Sequence, residues 1–460
     1  MNTPLSAALD ADRVGVTMTE PTSGDRVTRS HGLVVGLSRC TLFVVLFLMY
    51  AGVMPFLINF SPLLLYGTYV VFGICTIGIL AFDWGATRNL NSTIPYLIWL
   101  LVVYCYWGTL VGGMTVDLGQ VVRVFLRNCV FVSVFQLAVA DRRGLTRAAQ
   151  CFQFGAILNF AIDLLELRDP TLNLRLALML DPDGRSLSVL RPAGLWSNPN
   201  EASFAFVFAF LLSRWAGPVL GWLGRLSCVV GIFLSASRTG VSLLILCSVF
   251  YLAFNLRSIL FNVQRLMVMC VGIVMIAAIA PIVVRPSALS SLDFSSQLDI
   301  KRLSDFSEAS TRGVDDASRL DLKREAFQEI MRRPWAGFGI FRFEVSKDEL
   351  DNPPRLTTGA HDVYIAVWGE TGILGLTTYL LLLGIGMHRA VRAVGISKNE
   401  RLMLVLMWVS YLVIGFTWHD QFSSFMGPIY VALLYHVPTI LQRKPASIAM
   451  AGRIQRAMAI

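Results

Sequence analysis

Residues 218–256 read PVLGWLGRLSCVVGIFLSASRTGVSLLILCSVFYLAFNL, and this stretch shows the pattern that predicts the fold class. Two apolar runs, 218–235 and 240–256, are separated by a short polar break that carries Arg238. A helix crosses the hydrocarbon core of a bilayer with roughly 20 mostly apolar residues. The stretch therefore predicts two membrane helices joined by a tight turn that holds a cation.

The same apolar pattern recurs along nearly the whole chain of 460 residues, of which 55% are hydrophobic and 15% charged. This composition is typical of one polytopic membrane domain rather than of several soluble domains. The net charge of +9 could indicate nucleic-acid binding, but most basic residues lie in short loops between apolar runs. That distribution is typical of charge that sets membrane topology, so we expect no nucleic-acid partner.

All eight cysteines lie in or beside apolar runs, and no CxxC motif occurs. The sequence therefore predicts neither a disulfide framework nor a zinc site. The chain also has no GxxxxGK[ST] motif, so an ATP-driven pump is not indicated. We expect no metal and no cofactor.

We predict an all-α integral membrane protein with about twelve transmembrane helices. The candidate spans are 40–58, 62–82, 94–113, 122–140, 148–167, 199–213, 218–235, 240–256, 266–284, 362–387, 402–418 and 421–440. The predicted organisation is a disordered cytosolic tail (1–38), helices one to nine (39–284), a large external loop (285–361), helices ten to twelve (362–440) and a cytosolic tail (441–460).

The loop charges fix the predicted orientation. With the N-terminus inside, the even-numbered loops are cytosolic and rich in Lys and Arg, whereas the short odd loops 59–61, 114–121 and 419–420 contain neither. Arg238 is the exception, because it lies in a short odd loop. The polar turn 191–200, Arg238 and His361 then all lie at helix ends on the outer face.

The large external loop contains one predicted helix. Ser318 and Asp321 have the spacing of a capping box, and Pro334 and Gly337 terminate the segment. Its apolar stripe consists of Leu322, Ala326, Phe327, Ile330 and Met331. We expect this helix to lie at the membrane interface or over the membrane helices, with Arg319 near the rim of any cavity.

Three arginines predicted on the outer face are suited to binding a diphosphate. Guanidinium groups form bidentate contacts with phosphate oxygens. Any one arginine at a span end could instead extend its side chain towards lipid headgroups. Arg238 fits that interpretation least, because small residues that permit close helix packing flank it. We predict that Arg191, Arg238 and Arg319 bind a lipid-linked diphosphate.

His361 is the candidate base, since an unperturbed imidazole pKa of about 6.5 suits proton abstraction from a sugar hydroxyl. His419, beside Asp420 in the last outer turn, is the alternative. Asn200 is more consistent with helix capping than with ligand contact. Glu370 lies in an apolar run and is predicted to be a buried acid that either pairs with an arginine or supports the chemistry.

These motifs resemble those of the O-antigen ligase and O-antigen polymerase superfamily of bacterial envelope enzymes. The resemblance covers roughly residues 190–380. It is carried by RPAGLWSNPN (191–200), SASRTG (235–240), SR (318–319), RPWAGFG (333–339), HDVY (361–364) and ETGILG (370–375).

The resemblance implies a metal-independent, inverting glycosyltransferase of the GT-C type in the bacterial inner membrane, with its active site facing the periplasm. The donor would be an oligosaccharide on undecaprenyl diphosphate, bound by Arg191, Arg238 and Arg319, and His361 would deprotonate the acceptor. Many family members have Asn after this histidine, whereas this chain has Asp362. An aspartate there would either raise the pKa of the histidine or face solvent.

Several functions stay open. We favour a polymerase of O-antigen or exopolysaccharide, because nothing in the sequence marks a dedicated lipid A–core site. A ligase that transfers glycan to lipid A core is the alternative, and export or chain-length proteins are possible partners. A transporter of lipid-linked glycan is expected to carry ionisable residues through the bilayer midplane, whereas charge within these spans is sparse. A purely structural assembly factor is the least favoured.

Overall fold

The computed structural model describes residues 23–53, 62–113, 116–169, 172, 192–196, 198–260, 323–341, 343, 362–418, 421, 422, 424 and 426–442. Within these ranges every regular element is a helix, which confirms the all-α prediction. The ninth predicted span (266–284) lies outside the described residues, as do residues 1–22 of the predicted N-terminal tail (1–38) and residues 443–460 of the predicted C-terminal tail (441–460).

We number the described helices of eight or more residues in chain order. They are α1 (Ser23–Tyr50), α2 (Pro62–Phe82), α3 (Ile94–Gly112), α4 (Leu118–Ala138), α5 (Arg142–Arg168), α6 (Pro199–Leu212), α7 (Pro218–Leu234), α8 (Arg238–Leu260), α9 (323–330), α10 (Val363–Arg392), α11 (Lys398–Gly415) and α12 (Met426–Gln442). The middle of α3, Leu100–Trp107, is π-helical.

Six helical segments in the described part of the chain are long and apolar enough to cross a membrane. They are His31–Tyr50, Ile94–Gly112, Leu118–Ala138, Arg142–Arg168, Arg238–Asn255 and Val363–Arg392. Large apolar side chains such as Ile74 and Ile98 are exposed on the surface of the bundle, as expected where a helix faces lipid. The protein is therefore a multi-pass membrane protein, and the count of about twelve spans stays a prediction.

The first helix differs from its predicted boundary. The sequence predicted a disordered tail up to residue 38, whereas α1 is already helical from Ser23. Leu33, Val34 and Leu37 are exposed apolar residues before that boundary, so the lipid-facing part of α1 begins earlier than expected. Arg39 forms an ion pair with Asp83 just after α2, at 2.7 Å. The polar residues of this segment obscured an apolar stretch that begins at His31.

Helix α10 is bent sharply at Gly372, whereas the sequence predicted one uninterrupted span over 362–387. Gly372 has φ 73° and ψ −175°, which is not helical. The rings of Tyr364 and Tyr379 lie only 6.2 Å apart, although a straight helix would separate their Cα atoms by about 22 Å. The helix therefore has a short arm before Gly372 and a longer arm after it. The long arm, 373–392, is about 30 Å long and matches the hydrocarbon thickness.

A loop at 334–341 fits against this bend. The backbone N–H groups of Phe338 and Gly339 donate to the carbonyls of Gly369 and Glu370, at 2.7 and 2.9 Å. Two further bonds of this kind join Ile373 N to Pro334 O and Ile340 N to Gly108 O in α3. Irregular backbone beside membrane helices is tolerated only when its polar groups are satisfied, and these bonds satisfy them.

Candidate functional site

The starts of α6 and α8 meet at one end of the bundle. A Cβ atom on Gly240 would lie 2.6 Å from the Cβ of Ser203, so only glycine permits this approach. Arg238 is the first residue of α8 and lies partly exposed at this junction. The small residues around Arg238 therefore do permit close helix packing, as the sequence predicted.

The end of α11 and the start of α10 lie at the same end of the bundle. The ring of Trp418, just past α11, lies 5.9 Å from that of Phe204 in α6. Lys323 Nζ, at the start of α9, donates to the carbonyl of Phe416 at 3.0 Å and to Asp362 Oδ2 at 2.9 Å. Five elements thus meet in one continuous set of contacts.

We call this region the helix-end cluster and define it by Ser203, Arg238, Lys323, Asp362 and Trp418. It gathers the starts of α6, α8, α9 and α10 and the end of α11. The sequence placed the starts of α6, α8 and α10 on one face, and the contacts bring those three ends together. Which side of the membrane this end faces stays a prediction.

The connection between α7 and α8 is tight and strained. Ser235 and Ser237 are fully buried, and Ala236 has a φ of 48°. A non-glycine residue in this left-handed region costs about 1–2 kcal/mol and is enriched at functional sites. The strained residue lies two positions before Arg238, so this turn sets the position at which α8 begins with Arg238.

The polar turn that precedes α6 is anchored to α5. Glu166 Oε2 accepts from the N–H groups of Ala193 and Gly194, at 3.0 and 3.4 Å. Asn159 Oδ1 accepts from Leu195 N at 2.9 Å. Arg191 itself lies outside the described residues, but the chain two residues after it is held by two buried side chains of α5.

Neither Asn159 nor Glu166 was identified from the sequence as a site residue. The available signal was their spacing of seven residues, which places two polar side chains on one face of a long membrane helix. Their partners lie 27 to 36 residues further along the chain. Periodicity reveals a polar face on a helix, but it does not identify what that face binds.

Helix capping by the NPN sequence is confirmed. Asn198 is the N-cap of α6, and its Oδ1 accepts from the backbone N–H of Asn200 at 2.8 Å. Pro199 occupies the first helical turn, where its missing N–H costs nothing. The capping side chain is that of Asn198, whereas Asn200 contributes its backbone. A ligand contact by the Asn200 side chain stays a prediction.

The sequence left two alternatives for Asp362, and one of them was that its side chain faces solvent. The side chain does not face solvent. Only 3% of its surface is exposed. Its Oδ1 caps α10 by accepting from the N–H groups of Tyr364 and Ile365, at 3.0 and 3.2 Å. Its Oδ2 binds Lys323. His361, the adjacent residue, lies outside the described residues, and so do His419 and Asp420.

Glu370 is buried, as predicted, and it binds backbone. Its Oε1 accepts from Phe341 N at 3.0 Å, and its carbonyl accepts from Gly339 N at 2.9 Å. Glu370 therefore helps to hold the loop 334–341 against the bend in α10. This contact gives the acid a supporting role in the fold.

Helix α9 packs over the short arm of α10. A position over the membrane helices was one of the two locations that the sequence predicted for it. Ala326 and Ile330 are fully buried and form a small apolar cluster with Phe343. Phe327 is about half exposed, and its ring contacts Trp368 edge to face at 5.6 Å. The predicted stripe is therefore partly buried, and Met331 is exposed. Ser318, Arg319 and Asp321 lie outside the described residues.

The fold and this site define an integral membrane protein of packed helices with a polar cluster where several helix ends meet. Residues 223–380 match the family model described as O-antigen ligase. This match, over about a third of the chain, confirms the resemblance to the O-antigen ligase/polymerase superfamily that the motifs indicated. No curated protein matches the chain.

The matched region includes Arg238, Asp362 and Glu370 and begins after the turn 191–200. The match supports a membrane glycosyltransferase of the ligase or polymerase type that acts on lipid-linked glycan. The match does not distinguish a polymerase from a ligase, which differ in the acceptor.

Proposed function

We propose that this protein transfers glycan from undecaprenyl diphosphate to an acceptor sugar hydroxyl at the periplasmic face of the inner membrane, as a polysaccharide polymerase. The observation that carries the proposal is the helix-end cluster, of which Arg238, Lys323 and Asp362 lie within the family-matched region. That cluster contains Arg238, and it contains Asp362, which directly follows His361 in the sequence.

The proposed reaction is a displacement at the anomeric carbon of the donor sugar. The acceptor oxygen attacks this carbon from the face opposite the diphosphate, and the bond between the carbon and the phosphate oxygen breaks. The electron pair of that bond leaves with undecaprenyl diphosphate. His361 takes the acceptor proton, and the configuration at the anomeric carbon is inverted.

The arginines are proposed to stabilise the leaving group. Charge on the diphosphate increases as the bond breaks, and guanidinium groups already positioned there stabilise the transition state more than the ground state. Arg238 is held at the start of α8, where the helix dipole is positive and also favours an anion. Arg191 and Arg319 would complete the set without a requirement for a metal ion.

The proposal is tested with purified protein and an oligosaccharide on undecaprenyl diphosphate. Longer lipid-linked chains are the result expected of a polymerase. Transfer that requires added lipid A core would identify a ligase instead. If no product forms, with or without added lipid A core, the proposal is contradicted and a transporter is favoured. A flipping assay in vesicles would then detect movement of the lipid-linked glycan.

A further inference from the structure

Lys323 is a charged residue of the helix-end cluster to which the proposed mechanism gives no role. Its ammonium group bridges two elements that are distant in sequence, Asp362 at the start of α10 and the carbonyl of Phe416 at the end of α11. The Lys323 side chain is 32% exposed, whereas that of Asp362 is 5% exposed. The bridge therefore lies at the boundary between the packed interior and the accessible surface.

The bridge does more than complete a helix cap. Capping of α10 uses only Oδ1 of Asp362, which accepts from both Tyr364 N and Ile365 N. An uncharged Asn could supply that oxygen equally well. The second oxygen, Oδ2, is engaged by Lys323. A buried carboxylate needs such a partner, so the aspartate and the lysine form one unit.

The pair of Lys323 and Asp362 joins α9 to the start of α10, and the lysine also contacts the end of α11. Residue 361 is joined to Asp362 by one peptide bond. The ion pair therefore anchors the residue next to the proposed base to α9 and, through the carbonyl of Phe416, to the end of α11.

We propose that Lys323 is a positioning residue for glycan transfer, acting through Asp362 to hold the start of α10, next to the proposed base His361, against α9 and the end of α11. The inference rests on the proposed function. Small displacements of reacting groups lower the rate of the chemical step, even where binding is unaffected. Lys323 is therefore expected to influence kcat more than donor KM.

The test measures initial rates of glycan transfer by the purified full-length protein over a range of donor concentrations. Lys323→Met is expected to lower kcat by roughly 10- to 100-fold and to leave the donor KM unchanged. Lys323→Arg, which retains the charge and the donors, is expected to recover most of kcat. Arg324→Met is the matched control, because it removes the same charge from an exposed position of α9, and wild-type kcat is expected.

A second variant covers the case in which Lys323→Met does not accumulate in the membrane. The double variant Lys323→Met/Asp362→Asn removes both charges and keeps a capping oxygen, so it is expected to fold and to retain the low kcat. Wild-type kcat in Lys323→Met or in the double variant would overturn the inference, as would failure of Lys323→Arg to recover activity. Absence of transfer by the wild type and by Arg324→Met would instead overturn the proposed function.

Discussion

Arg238 is the residue on which the proposed diphosphate site depends most directly. It begins α8 after a strained turn, and it lies beside the first turns of α6, where Gly240 allows Ser203 to approach closely. A planar guanidinium can bind two phosphate oxygens through two parallel N–H donors, whereas an ammonium group acts as a point charge. We therefore expect arginine to serve better than lysine at this position.

Replacement of Arg238 is expected to abolish polymer formation. Arg238→Ala removes the charge and both hydrogen-bonding edges, whereas Arg238→Lys keeps the charge and is expected to retain partial activity. Polymer length in cells, resolved on a gel, provides the measurement. Arg214→Ala, at an exposed position between α6 and α7 at the other end of α6, is the control and is expected to make wild-type polymer.

The amount of Arg238→Ala protein in the membrane must equal that of the wild type for the comparison to hold. Polymer of wild-type length from Arg238→Ala would remove this residue from the mechanism. Equal loss in Arg214→Ala would indicate a general effect of lost positive charge rather than a specific site.

Candidate site residues could be predicted from the sequence where they lie at the end of a predicted helix. Arg238 and Asp362 were found because each lies where an apolar run begins. Lys323 was not found, since its partner Asp362 lies 39 residues away and a charged loop contains many lysines and arginines. Pairing between distant elements depends on packing, which periodicity does not report.

At the scale of elements, the bend in α10 is the feature that most changes the predicted architecture. Gly372 has a positive φ, and a Cβ at this position would overlap the carbonyl oxygen of Trp335. The bend therefore depends on glycine both for its backbone conformation and for the approach of the loop 334–341.

Gly372→Ala is expected to destabilise the protein by more than about 1 kcal/mol, since the φ value alone costs that much and the overlap adds to it. Thermal unfolding of the protein in detergent measures the effect. Gly384→Ala is the matched control on the same helix, because nothing lies within 4 Å of its added methyl group. The control is expected to unfold at or slightly above the wild-type temperature. Equal unfolding temperatures for the two variants would argue against a required bend.

The positions of helices followed from sequence because apolar runs and loop charges report them directly. The bend did not, because GETG (369–372) lies within an apolar run and the loop that fits against it comes some thirty residues earlier. A glycine in a membrane helix is ordinary in itself. Only contact with residues 334–341 shows that this glycine ends one arm and begins another.

At the scale of the whole molecule, α5 connects two polar ends. Its first residue, Arg142, contacts Glu400 at the start of α11 at 3.3 Å and the carbonyl of Leu441 at the end of α12 at 2.7 Å. Near its last turn, Glu166 holds the turn at 193–194. The helix is about 40 Å long, enough to separate these two ends by a bilayer.

The charge rule assigns the Arg142 end to the cytosol, and this assignment can be measured. An impermeant thiol reagent applied to cells with a permeabilised outer membrane is expected to label Arg324→Cys and to spare Arg143→Cys. Both positions are exposed. Arg143→Cys should become labelled once the inner membrane is opened, and the parent protein controls for native cysteines. Labelling in the reverse order would invert the topology and place the helix-end cluster in the cytosol.

The central claim is that this protein forms glycosidic bonds from a lipid-linked donor with His361 as base. The most direct measurement is the length distribution of lipid-linked glycan after purified wild-type protein and His361→Ala are each incubated with an oligosaccharide on undecaprenyl diphosphate. We expect a ladder of longer chains from the wild type and unchanged donor from His361→Ala. A ladder of equal length from both proteins would contradict the central claim.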